Sequence, residues 1–339
     1  MRQALLFILS IAAVASVFCG GGIESPIEPG GEIPELLTTL PDGEYLAVGF
    51  LNIEEVLDSE FGRYALARLA VFDLMLQGSG VNLRDFHELA FAVAFESRAH
   101  PNSLRSLPLI VVLRADVDPE TVEMWLSAAA RETFELEGTV VHRYRGRLPT
   151  GGRPLEGTTF VAVPSSGYVV LSTSLELLED YFDVRAGRRA GIGAGGAMGG
   201  LLATADKRVP GWMALRHSEE SRSLLNWLAP FDDCVISLTA DEELRVLCVM
   251  RFEQERDAEE AVESFEISRR EMGRYLPRER AMGPELAGAA VTEFLLELEG
   301  SQRGRLAIFR GEYSREWVAG LFSPSENEAE AGEDPGEER

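Results

Sequence analysis

The sequence predicts an α+β fold built from two tandem units. Three observations carry that expectation. Leu109 to Leu113 is an unbroken aliphatic run, the mark of a strand covered on both faces, and it feeds directly into an amphipathic helix. A degenerate copy of that strand and helix returns at residues 244–272. Around both copies, short alternating segments bounded by turn residues read as further strands.

In the first copy, Asp116 and Asp118 follow the strand and Pro119 comes next. Two nearby acids invite a metal reading, but Asp118 suits an N-cap and Pro119 the first helical position, which accounts for this stretch as a helix start. Val122, Trp125, Leu126, Ala129 and Thr133 then share one helical face.

The first unit, with its added hairpin and helix, is placed at 36–184. Pro41-Asp42-Gly43 is turn chemistry. Leu46, Val48 and Phe50 line one face of the first strand, and Phe61, Ala65, Leu69, Phe72 and Leu76 mark a long helix. Leu89, Phe91, Val93 and Phe95 alternate with alanines in a second strand. The aliphatic strand and its helix follow, and residues 139–144 supply a fourth strand. The order β-α-β-β-α-β is the ferredoxin-like order, which places the first and third strands centrally. A hairpin over 158–163 and 168–172 turns at Ser165-Ser166-Gly167. Thr173 and Glu176 then have capping-box spacing before a helix faced by Leu175, Leu178 and Phe182.

Residues 185–200, RAGRRAGIGAGGAMGG, read as a Gly-rich linker. Gly191, Gly193 and Gly196 match G-x-G-x-x-G, but a dinucleotide fingerprint needs a strand before it, and here a helix and three arginines precede it. The second ferredoxin-like unit is placed at 201–322. Its parts are a strand over 212–215, a helix over 219–228, a hairpin over 234–239 and 244–252, and a helix from Asp257 that stops at Pro277. Strands over 292–298 and 306–309 and a short closing helix complete it.

Residues 1–19 are a targeting leader: Arg2, an apolar run from Ala4 to Val17, then Cys19 and three glycines. This segment resembles a bacterial lipoprotein signal, and the resemblance implies an acylated Cys19 and a membrane anchor. Ala13-Val14-Ala15 offers an ordinary signal-peptidase site, so secretion to the periplasm and an uncleaved leader stay open. Residues 20–35, rich in Gly, Pro and Glu, read as a flexible tether, and 323–339 as a disordered acidic tail. The net charge of −24 repels phosphate backbones, so nucleic acid is not an expected partner.

His87, His100, His142 and His217 are scattered, with no metal-ligand spacing. Asp232-Asp233 is the best carboxylate pair, though neighbouring strand residues point to opposite faces. No catalytic residue, cofactor site or metal site is therefore assigned. The hairpin over 234–239 and 244–248 is expected to set Leu238 opposite Leu244, Ile236 opposite Val246 and Cys234 opposite Cys248, through a connection at Ala240-Asp241-Glu242. Cys234 and Cys248 then form a disulfide or a buried contact.

The leader, the Leu40-Pro41-Asp42-Gly43 opening and the paired units together resemble uncharacterised bacterial envelope proteins with repeated ferredoxin-like units. That resemblance implies a class and no activity. The reading is a non-enzymatic, membrane-tethered envelope protein that acts on another envelope protein by interaction or scaffolding. Two alternatives stand beside it: a periplasmic carboxylate- or calcium-dependent hydrolase, and a small-ligand binder in the cleft between the units.

Overall fold

The computed structural model describes residues 30–63, 83–94, 108–145, 158–165, 167–216, 231–281, 295–315 and 317. Twelve strands form one antiparallel sheet in the order β11-β12-β10-β9-β8-β1-β2-β3-β7-β6-β5-β4. The strands are β1 Tyr45–Asn52, β2 Phe86–Ala94, β3 Leu109–Ala115, β4 Glu132–Leu136, β5 Thr139–Arg145 and β6 Thr158–Ser165. They continue as β7 Tyr168–Ser172, β8 Gly211–Arg216, β9 Asp233–Ala240, β10 Leu244–Arg251, β11 Glu299–Arg303 and β12 Leu306–Tyr313. The helices are α1 Glu35–Thr38, α2 Ile53–Asp58, α3 Pro119–Ala129, α4 Leu175–Arg185, α5 Gly199–Leu202 and α6 Glu255–Ala281.

The α+β class holds, and the ferredoxin-like order is not confirmed. β1 lies between β2 and β8, not beside β3, because consecutive strands β1, β2 and β3 pair as an antiparallel meander. The hairpin β6–β7 folds back onto β3, and the hairpin β11–β12 onto β10. The halves meet in a ladder that pairs Val48 with Ala214 and Phe50 with Trp212. The sheet is continuous there, so the cleft expected between two units does not open along these strands.

Side chains alternate across the sheet and sort the helices onto its two faces. Val48, Phe50, Ala92, Ile110, Val170, Trp212 and Val235 line one face. Leu36 and Leu37 of α1, Leu178 and Phe182 of α4, and Leu201 and Leu202 of α5 pack on it. On the other face, Val122 and Leu126 of α3 cover Val161 and Val163. Val56 and Leu57 of α2 cover Leu238 and Val246, and Ala258, Ala261 and Phe265 of α6 cover Met250 and Phe309. Among the described residues no helix is long and apolar enough to cross a membrane.

Local chemistry sets the element ends. Asp118 caps α3 by accepting from Thr121 N at 3.0 Å, and Pro119 takes the first helical position. α3 ends at Ala129, so Thr133 is not on it. Residues 132–136 form β4, joined to β5 by Glu137-Gly138, whose φ values of 50° and 75° are those of a two-residue I′ turn. Ser174, not Thr173, caps α4, accepting from Leu177 N, while Thr173 Oγ1 accepts from Leu109 N. α6 runs past Pro277 to Ala281, so the proline sits inside the helix instead of ending it. Of the strand expected over 292–298, residues 295–297 are helical. Arg269 Nη1 donates to the carbonyls of Leu296 and Leu298 as the chain turns into β11. The helices expected over 61–76, 219–228 and 314–322 lie wholly or mostly outside the described residues, as do residues 1–29 and the tail 323–339.

The Gly-rich stretch packs instead of hanging free. Ile192 and Met198 are buried in the first core. Asp42 N donates to Ala190 O, Ile192 N donates to Leu40 O, and the Asp42 carboxylate accepts from Ala197 N at 3.1 Å. Glycine is required by contact: a Cβ on Gly191 would run into the Thr38 carbonyl, and one on Gly196 into the Asp42 carboxylate. The end of the expected tether is also docked. Gly30 pairs with Asp206, and Lys207, the chain's only lysine, donates its backbone N–H to Gly30 O and its Nζ to Leu202 O.

Two alanine substitutions separate packing from linker behaviour. Gly191→Ala should cost about 1–3 kcal/mol, the range for forced overpacking. Gly195→Ala, with nothing within 4 Å of its added Cβ, should stay within about 0.5 kcal/mol of wild type. Urea denaturation measures both, and equal small effects would mean that the stretch is not packed.

Candidate functional site

Beta-sheet geometry brings together a cluster of titratable side chains at the open end of β2 and β3. The register between these strands slips between Phe86 and Glu88, so His87 sits in a bulge outside the regular pairing. α2 begins directly after β1, with Asn52 accepting from Glu55 N, and this sets Glu54 in the first helical turn. Asp116 follows β3. His87 Nδ1 lies 3.2 Å from Glu54 Oε2, and Nε2 lies 3.1 Å from Asp116 Oδ2. Both ring nitrogens are thus engaged, and the arrangement ties the start of α2 to the end of β3. Sequence reading missed it because Glu54 and Asp116 are remote from His87 along the chain, and no local spacing marks them.

The other carboxylates do different work. Asp118 caps α3. Asp233 opens β9 and lies 3.6 Å from Arg251. Burial raises its pKa, with Arg251 opposing and Asp232 adding to the shift. Asp232 precedes the strand, and its N–H donates to Arg251 O.

Cys234 and Cys248 lie on one face of the β9–β10 ladder, in a register different from the expected one. Cys234 opposes Met250 and Cys248 opposes Ile236, because the hairpin turns over residues 241–243. The shift keeps every side chain on its face, since both registers share parity. The cysteines become diagonal neighbours with sulfurs 3.6 Å apart, and both are free thiols. Diagonal positions stand about 7–8 Å apart at Cα, beyond the roughly 4.4–6.8 Å a disulfide spans. The hydrogen bond with Cys248, together with burial, holds the Cys234 thiol well above its ordinary pKa and so in its unreactive form. Cys19, the expected lipidation site, lies outside the described residues, as do His100 and His217.

His142 sits on β5 beneath α3, only 1% exposed, and neither ring nitrogen has a hydrogen-bond partner. Burial lowers its pKa, and Glu123 on α3 opposes the shift. Tyr144, two residues on, donates to Leu126 O at 2.7 Å, and burial raises its pKa to about 12.

Comparison with known proteins places the overall course of the chain beside one set of solved structures. The chain is similar to TP0453. Crystal form I aligns at a TM-score of 0.44 and 8% identity, covering 88% of this chain and 98% of that one. Form III aligns at 0.47 and 9% identity over 85% and 98%, and form IV at 0.46 and 10% over 88% and 98%. At these values no functional conclusion follows from TP0453. No protein-family model matches the chain, and no curated protein matches it.

The cysteine geometry predicts that the folded protein, purified without reductant, keeps Cys234 and Cys248 as free thiols, and that the buried Cys234 reacts with maleimide only after denaturation. An intact mass short by two hydrogens would show a bridge and overturn the diagonal reading. The histidine geometry predicts a pH dependence. An unfolded imidazole titrates near 6.5 and the folded one lower, so between those values the unfolded chain binds the extra proton. This part of the stability is complete above about 6.5 and is lost as pH falls through the folded value. His142→Leu should remove that acid loss and stabilise the protein at neutral pH by roughly 1–3 kcal/mol, the cost of an orphaned buried polar group. Denaturation curves at several pH values measure the difference, and parallel profiles for the two proteins would sink it.

Proposed function

We propose that this chain is a non-enzymatic protein of the bacterial envelope, held to a membrane by a lipid on Cys19, that acts through its surface on another envelope protein. The supporting observation is a docked residue close to Cys19 in sequence. Gly30 is already pinned against Asp206 and Lys207. Eleven residue steps therefore separate it from Cys19, a reach of at most about 35–40 Å at full extension. The sequence between them is rich in Gly, Pro and Glu, a composition that suits a short tether. The sheet offers breadth for contact: twelve strands spaced about 4.8 Å apart make it roughly 50 Å across.

The acidic balance of the chain fits a protein partner better than nucleic acid or a bare anionic lipid surface. One acyl chain holds a protein only loosely to a bilayer, so stable residence requires a second chain on the same cysteine or a partner.

Metabolic labelling with a radioactive fatty acid tests the anchor. Wild-type protein should carry label and enter the detergent phase on phase separation, and Cys19→Ser should do neither. Label that persists in Cys19→Ser would refute lipidation at this residue.

A further inference from the structure

β4 is a margin of the sheet and, among the described residues, pairs only with β5. The turn at Glu137-Gly138 sets which of its backbone groups stay open. Across a two-residue turn the flanking pair, Leu136 and Thr139, exchanges hydrogen bonds. Every second pair after it does the same, Phe134 with Val141 and Glu132 with Arg143. Thr133 and Glu135 therefore aim their N–H and carbonyl groups away from β5. Both residues are exposed, so an incoming chain can reach those groups.

The side chains of this margin differ between its two faces. Phe134 and Leu136 are only partly buried where they pack on the first core, and Phe134 meets Phe160 edge-on with ring centroids 6.2 Å apart. A strand laid beside β4 would cover them further. The opposite margin, β11, offers no such gain: apart from Gly300 its residues, Glu299, Ser301, Gln302 and Arg303, are exposed and polar. Thr133 and Glu135 stand on the other face of β4. Glu132 is paired with Arg143 and Glu137 with Arg188, whereas Glu135 has no ionic partner among the described residues.

Paired positions on neighbouring strands share a face. The seam thus specifies its occupant: a cation opposite Glu135, and apolar side chains opposite Phe134 and Leu136. The chain's net charge of −24 attracts a basic partner and repels a second copy. We propose that the outer edge of β4 is a docking site for an extended segment of a basic partner protein, one that alternates basic and apolar residues and adds to the sheet as a further strand. This partner class rests on the proposal that the chain acts on another envelope protein.

The probe is a fluorescein-labelled seven-residue peptide alternating lysine and valine. It is titrated with the full-length protein at about 150 mM salt, where exposed charges are screened beyond about 8 Å. Anisotropy should rise saturably, and a peptide with glutamate in place of lysine should give no saturable rise. Thr133→Pro removes an N–H that β5 does not use, a change that edge strands tolerate, and it should weaken binding at least tenfold. Thr133→Val keeps the N–H and should bind within twofold of wild type. Glu135→Lys leaves the backbone intact and should turn the preference toward the glutamate peptide. Circular dichroism melts report whether each variant is folded. Absent binding, equal binding of the two peptides, equal binding by folded Thr133→Pro, or a lysine preference retained in Glu135→Lys would each overturn the assignment. Wild-type dimers that Thr133→Pro dissociates would overturn it too, by making a second copy the occupant. None of these readouts involves Cys19, so a failed titration leaves lipidation standing, and an unlabelled Cys19 leaves the docking edge standing.

Discussion

The ladder between β1 and β8 is the constraint on which the rest of the structure depends. One row of paired residues crosses the whole sheet on one face: Ser301, Ile308, Val249, Val235, Ala214, Val48, Ala92, Ile110, Ser172, Phe160, Arg143 and Glu132. Outward from Val48 and Ala214 the order of strands is matched step by step, a meander of three and then a returning hairpin on each side. Only β4 and β5 lack counterparts. Breaking the central ladder would expose two new edges of unpaired backbone in the middle of an apolar face, a cost no side chain there can offset. Gly49 shows how tight the join is, since a Cβ at that position would come within 2.9 Å of the Trp212 carbonyl on β8 and strike the Phe91 ring on β2.

The packed glycine segment depends on that join. It runs from α4, on the first half of the sheet, to α5, which leads into β8, and Ile192 and Met198 pin it into the core shared by both halves. The Asp42 carboxylate caps the segment's backbone at Ala197, and Arg189 reaches the Asp42 carbonyl while pairing with Asp180. Glycines here permit close backbone approach, which is a different use from the hinge their composition suggests. Composition alone does not separate the two uses, because both call for the smallest residue.

Much of the strand content was legible in the residues. The aliphatic run at Leu109–Leu113, the alternation at Leu89–Val93 and the cap at Asp118 are local signals, and each appears where local physics places it. Strand neighbours were not legible, because β-α-β-β-α-β order is compatible with more than one pairing and nothing local reports which edge a strand joins. β4 escaped because Thr133 continues a helical stripe. The better signal was Glu137-Gly138, two residues between alternating segments. The cysteine register failed by one step in the turn: parity is fixed by which face is apolar, but the turn position is not. The His87 bridge and the open edge of β4 are products of pairing between distant segments, so they become visible only once the sheet is assembled.

Among the described residues the sheet stays open, and its two margins are unlike. β4 forms one margin with Glu132 and Glu135, and β11 forms the other with Glu299 and Arg303. A molecule that docked its β4 against the β11 of a neighbour would leave a fresh margin of each kind at the ends of the pair, and the addition could repeat without limit. Such head-to-tail growth yields a filament, not a closed ring or a dimer. Short, charged marginal strands on a strongly acidic chain oppose the first step of that growth. The acidity of this protein thus has a consequence that needs no partner: it opposes the addition of one molecule's sheet to another's.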